Sequence, residues 1–162
     1  KMNYKLLGLI FLIFSFFTFY ESLTDYYTGI FVLLICIATD VGGYIFGKIF
    51  KGPKLTKISP NKTYAGMFGG FLLSVILASI YFNNLSNLSL AESNGEMGIQ
   101  IMLIVISISF ISQVGDIVIS FFKRKSKIKN TGKIIPGHGG ILDRIDGMIF
   151  AFPYAFLLTK II

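Results

Sequence analysis

The chain has 162 residues, 54% of them hydrophobic, and a mean hydropathy of +0.73. That is more apolar side chain than a soluble domain of this length can cover, so the membrane class comes first. The net charge of +7 does not point to nucleic acid, because the lysines fall in short segments between apolar runs; the single cysteine, Cys36, sits inside such a run, reads as a packing residue and excludes both an intrachain disulfide and a cysteine-rich metal site.

Five apolar runs follow one another, at residues 6–20, 28–47, 64–82, 98–122 and 147–162. A helix needs about 20 residues, with a range of about 17–25, to cross the hydrocarbon. The middle three runs fit, and the first and last are short. KMNYK before the first run has the look of a signal peptide, but TFYESL after it is bulky where cleavage wants small residues, so a retained helix is expected. No alternating segments of about ten residues recur, which argues against a lipid-facing barrel. No linker or repeat divides the chain. The expectation is one all-α transmembrane domain over residues 1–162, polytopic, with about five transmembrane helices.

Loop charges orient this bundle. Fourteen of the fifteen Lys and Arg residues precede the first run or lie in the second-to-third and fourth-to-fifth connections. The opposite side has Lys160 with Glu21, Asp25, Glu92 and Glu96. By the positive-inside rule the basic side faces the cytoplasm, with the N-terminus inside and the C-terminus outside. The remaining acids are Asp40, Asp116, Asp143 and Asp146, all at the basic end. Asp40 lies eight residues before Lys48 and Asp116 seven before Lys123. At 1.5 Å per residue each is roughly 10–12 Å from its basic helix end, so the four carboxylates converge in depth.

A carboxylate in a bilayer costs about 2.5–3.5 kcal/mol on insertion scales, which makes intramembrane aspartates functional candidates; the plainer reading of any one is a partner for a nearby lysine. Asp143 and Asp146 are three apart and share a face if the fifth helix has begun there. Ser112, Asp116, Ser120 and Lys123 form a polar stripe on the fourth run. Cys36, Asp40, Gly43 and Gly47 form a small-residue stripe on the second, and Gly66, Gly70, Ser74 and Ala78 form another on the third. Small stripes let membrane helices approach closely, and they permit a homodimer without requiring one. Carboxylates suggest a hard cation such as magnesium, and the lysines suggest phosphate. Together they suggest a metal–phosphate complex, with glycines admitting phosphate to backbone N–H groups. There is no GxxxxGK[ST] loop and no GxSxG elbow. His138, inside PGHGG, is expected to contact phosphate or order its loop, with metal ligation the alternative. In ISPNKTYAG, residues 58–66, Ser59, Lys62 and Thr63 offer two hydroxyls and an ammonium to a phosphate.

The 27 residues from Ser120 to Asp146, SFFKRKSKIKNTGKIIPGHGGILDRID, resemble the signature of the phosphatidate cytidylyltransferase (CDP-diacylglycerol synthase) family. DVGGYIFGK at 40–48, SPNKTYAG at 59–66 and QVGDIVIS at 113–120 resemble further family segments, so the similarity covers about residues 38–158. Asn130 stands where the family usually has aspartate, which weakens a charge role there, and Gly43 stands where alanine is usual. Longer family members have more N-terminal helices, so a fragment or a compact variant is expected. The resemblance implies transfer of CMP from CTP to phosphatidic acid, giving CDP-diacylglycerol and pyrophosphate, with magnesium required and a second cation as an option. It implies that Asp116, Asp143 and Asp146 hold metal, with Asp40 in support. Lys123, Arg124 and Arg144 would stabilise the triphosphate. Ser59, Lys62, Thr63, His138 and the backbone at Gly137, Gly139 and Gly140 would bind phosphates or the lipid head. The site would face the cytoplasm at a bacterial-type inner (plasma) membrane, where nucleotide from solution meets lipid from the leaflet.

Three other readings compete. A CTP-dependent polyprenol or phytol kinase would transfer the γ-phosphate to a lipid alcohol. A cation-coupled transporter would also bury aspartates, but it needs a polar path to both faces, and the outer halves of these runs carry no candidate charge. A non-catalytic lipid-binding fragment is the blandest.

Overall fold

The computed structural model describes residues 4–56, 59, 62–87, 98–128, 131–132 and 145–161. They form five helices: α1 (Tyr4–Thr24), α2 (Tyr26–Phe50), α3 (Tyr64–Asn87), α4 (Ile99–Lys125) and α5 (Met148–Ile161). Four are long and apolar enough to cross a membrane, with mean hydropathies of 1.9–2.1, and the apolar part of α5, Met148–Lys160, is shorter. The protein is therefore an all-α polytopic membrane protein. Its outer faces stay apolar, with Leu9, Ile13, Phe68 and Leu103 all mostly exposed. Helices suit this solvent because they satisfy their own backbone polar groups where no water can.

The first helix is longer than its apolar run. It continues through the polar residues Glu21 and Ser22, and Asp25 alone separates it from α2. Asp25 makes the turn: its carboxylate accepts from the Thr28 hydroxyl, and its carbonyl accepts the Gly29 N–H at 2.9 Å. Gly29 then packs against the Ser22 backbone so closely that no side chain fits. At its other end α2 stops at Lys51, which takes a left-handed φ of 44° and donates its N–H to the Gly47 carbonyl.

The most extensive helix pair is α2 with α3, running antiparallel. Its seam is made of glycine. Gly42 rests on the Gly69 backbone, and a Cβ on Gly66 would stand 2.6 Å from the Gly43 carbonyl oxygen. The small-residue stripes do meet, and the glycines that permit a dimer are used inside the chain. Further along, Cys36, Ser74 and Ala78 are buried, with Cys36 in the apolar core beside Val32, Ile35, Val105 and Ile108.

Polar crosslinks fix the other helices. The Thr39 and Ser109 hydroxyls hydrogen-bond at 2.7 Å between α2 and α4. The Gln113 amide donates to the Met67 carbonyl at 3.3 Å between α4 and α3. On the other side of α4, the Phe150 ring of α5 fills the notch left by Gly115. Pro153 lies inside α5 and has no N–H to give the Ile149 carbonyl four residues back. The Ser15 hydroxyl of α1 donates to that carbonyl instead, at 2.7 Å. A missing donor that would leave a bare carbonyl in hydrocarbon thus becomes the joint between α1 and α5.

Candidate active site

The described residues of these motifs fall at one end of the bundle, where α2 and α4 finish and α3 and α5 begin. The connection from α2 to α3 is built as a small strap. Leu55 N–H donates to the Lys62 carbonyl at 2.7 Å, Tyr64 N–H donates to the Pro53 carbonyl at 3.1 Å, and Lys54 and Thr63 form an antiparallel bridge. Lys62 N–H donates to the Ser59 carbonyl at 3.1 Å, closing the turn. Thr63 caps α3, its hydroxyl oxygen accepting the Gly66 N–H at 3.1 Å and so satisfying one of the free donors of the first turn.

The strap delivers Lys62 to α4, where its Nζ lies 2.8 Å from Asp116 Oδ2, 54 residues away in sequence. A cleft of about 150 Å³ opens here, lined by Asp40 and Gly43 of α2, Lys62 and Thr63 of the strap, and Gln113 and Asp116 of α4. Asp40 and Asp116 therefore meet in one cavity. Gly43 lines the cleft beside Asp40. Ser59 helps shape the strap through backbone bonds, with its N–H on the Thr56 hydroxyl at 3.2 Å.

A second pair stands beside the first. Lys123, in the last turn of α4, reaches Asp146 Oδ2 at 2.6 Å, and both side chains are nearly buried, 12% and 9% exposed. Asp146 sits in the turn before α5, which begins at Met148, so it is not on a helical face. The link between the pairs is Gly147, where a Cβ would run into Ser112 and the Asp116 carboxylate. Arg124 is exposed in the last turn of α4, where Lys123 and Lys125 also complement the helix dipole. Gly137, His138, Gly139, Gly140, Asp143 and Arg144 lie outside the described residues, as does Asn130.

Among the described residues no three His, Cys, Asp or Glu side chains gather at metal-binding distance. The donor chemistry nonetheless fits magnesium. That ion takes oxygen ligands, keeps several waters, and is commonly held by one or two carboxylates together with substrate phosphates. Asp40 and Asp116 supply two carboxylates to one cleft, and the Lys62 ammonium on Asp116 marks a place where positive charge is stabilised.

Sequence reasoning passed over Gln113 and Gly147. Gln113 precedes Asp116 by three residues, so helical spacing puts it on the same face, and it lines the same cleft. Gly147 had only its neighbour Asp146 to recommend it.

Fold and site together define a polytopic membrane protein with a lysine- and aspartate-lined cleft at one end of its helix bundle. The chain belongs to the cytidylyltransferase family, whose model matches residues 2–162. It is similar to the phosphatidate cytidylyltransferase of Staphylococcus epidermidis, at 41% identity over 149 residues, covering 89% of this chain and 54% of that protein. It is similar to those of Staphylococcus aureus, at 39% over 149 residues with the same coverage, and of Bacillus subtilis, at 38% over 141 residues, covering 85% of this chain and 50% of that one. The chain thus spans about half the length of the curated relatives it matches.

Proposed function

We propose that this chain carries the catalytic cleft of a phosphatidate cytidylyltransferase, a nucleotidyltransferase of phospholipid synthesis. The observation that carries the reading is the meeting of Asp40, Asp116 and the strap-borne Lys62 in one cavity, in a family member about 40% identical to proteins of that name. A phosphate oxygen of phosphatidic acid attacks the α-phosphorus of CTP. A new P–O bond forms, and the bond from that phosphorus to the oxygen bridging to the β-phosphorus breaks. Pyrophosphate leaves with the bonding electrons, and CDP-diacylglycerol stays in the leaflet. No covalent enzyme intermediate is needed, so positioning and charge compensation are the protein's work.

Asp40 and Asp116 would hold Mg²⁺, with Asp143 and Asp146 of the signature as further candidate ligands. When bound, that ion neutralises triphosphate charge. Lys62 binds a phosphate oxygen of nucleotide or lipid, and Thr63 lies beside it. Lys123, Arg124 and Arg144 offset the charge of the departing pyrophosphate. His138 and the backbone N–H groups of Gly137, Gly139 and Gly140 bind phosphate. The site faces the cytoplasm from the inner membrane, at the depth where CTP and lipid headgroup can both reach it.

The test uses the full chain in vesicles containing phosphatidic acid, with magnesium and CTP labelled at either the α- or the γ-phosphorus. Transfer of the α-label to lipid, with pyrophosphate released and lost in Asp116→Asn and Asp143→Asn, is the expected result. Transfer of the γ-label with release of CDP would make the protein a lipid kinase. Cation flux without CTP use would make it a transporter.

A further inference from the structure

We propose that Gly147 is a positioning residue that fixes the Asp116 carboxylate. The inference rests on the reading of Asp116 as part of the active site, and it assigns the carboxylate's orientation to a residue with no side chain. Asp116 Oδ2 is held by Lys62 at 2.8 Å, and its other oxygen faces Gly147. A Cβ at position 147 would stand 3.0 Å from Asp116 Oδ1 and 2.9 Å from the Ser112 carbonyl oxygen, and closer still to Ser112 Oγ.

Gly147 has no freedom to retreat from these contacts. Its predecessor, Asp146, is tied to Lys123 at 2.6 Å. Three residues on, the Phe150 ring is seated in the Gly115 notch, where a Cβ on Gly115 would meet its Cδ2 at 2.7 Å. The carbonyl of Gly147 accepts the N–H groups of Phe150 and Ala151, at 3.2 and 3.0 Å, and so starts α5. Ser112, a turn before Asp116 on α4, is fully buried and cannot swing into open space. With α4 and α5 locked on both sides of the contact, an added methyl displaces the Ser112 hydroxyl and presses on the Asp116 carboxylate. Turning it would break its alignment with Lys62 and move it within the cleft that Asp40 shares.

The experiment compares Gly147→Ala with Gly115→Ala in the full chain, since both press a methyl into the α4–α5 seam, at 147 against the Asp116 carboxylate and at 115 against the Phe150 ring. Thermal unfolding in detergent, kcat and the KM for CTP are measured for each, with Asp116→Asn as reference. A Cβ 3.0 Å from the carboxylate oxygen makes that oxygen give by a few tenths of an ångström, and misplacing a positioned group by about 1 Å costs roughly 100-fold in rate. Gly147→Ala should therefore lose roughly 10-fold in kcat with its KM for CTP little changed, and Gly115→Ala should lose far less at a comparable unfolding temperature. Equal loss of kcat in both, or wild-type kcat in Gly147→Ala, would overturn the proposal. Gly147→Ala/Ser112→Ala guards against simple misfolding, because it removes the closest clash and leaves the one with Asp116. Its unfolding temperature should recover while its kcat stays low, and recovery of both would reduce Gly147 to a packing residue. Wild-type turnover in Asp116→Asn would instead defeat the reading of the active site itself.

Discussion

Lys62 and Lys123 each hold an aspartate, and their surroundings set them different tasks. The Lys62–Asp116 pair is partly exposed, 29% and 21%, and its lysine rides on a strap beside an open cleft. Such a lysine can exchange the carboxylate for a substrate phosphate at small cost, because water solvates both partners as they part. A hydrogen bond to a charged group contributes about 1.5–3 kcal/mol, which is roughly 10–100-fold in an equilibrium or rate constant. Lys62→Ala is expected to lower kcat/KM for CTP or phosphatidic acid by that factor with little change in unfolding temperature. Unchanged kinetics for both substrates would remove the strap from the site. The Lys123–Asp146 pair is drier. Removing one partner leaves the other charge buried, at about 3–5 kcal/mol. Asp146→Asn should therefore unfold in detergent at a distinctly lower temperature than wild type; an unchanged midpoint would show that the pair does not tie α5 to α4.

Among the helices, the seam most readable from sequence is α2 against α3. Glycines every third or fourth residue announce close approach, and here that approach brings backbone within reach of backbone. Between these two helices runs the strap, residues 51–63, and its Lys62 reaches Asp116 at the cleft. The joint between α1 and α5 could not be read in the same way. Pro153 signals a missing donor, but nothing in the sequence says that Ser15, 134 residues earlier, supplies it. The pair predicts a diagnostic coupling. Ser15→Ala should cost about 1–3 kcal/mol by stranding the Ile149 carbonyl. Ser15→Ala/Pro153→Ala should recover most of it, because alanine at 153 restores the helical N–H. If the double variant is as unstable as the two single losses added together, the serine is not serving that carbonyl.

For the whole molecule, hydropathy and loop charge account for the membrane class, the helix count and the end of the bundle where the motifs gather. These are bulk properties, summed over 15 or more residues, and local exceptions average out. Which cation meets which carboxylate is different. It depends on strap geometry and helix rotation, so the sequence can set Asp40 and Asp116 at one depth without saying that Lys62 lies between strap and cleft. Orientation in the bilayer follows from the same bulk charge and is directly testable, because the one native thiol, Cys36, is buried. In right-side-out vesicles a membrane-impermeant maleimide should label Glu21→Cys and spare Lys125→Cys, both exposed positions at opposite ends of the bundle. The reverse pattern would place the cleft on the outer face.

The serine that reaches across to a proline-bearing helix gives the N-terminal span a meaning its greasy composition conceals. A stretch of plain leucines in place of Leu6–Thr24 would thread the bilayer equally well and pass any hydrophobicity criterion. It would still leave a polar oxygen facing oil at the heart of the last helix. The opening segment is therefore no interchangeable tether: a chimaera that swaps it for a generic anchor would be delivered to the right membrane with its final helix unsettled.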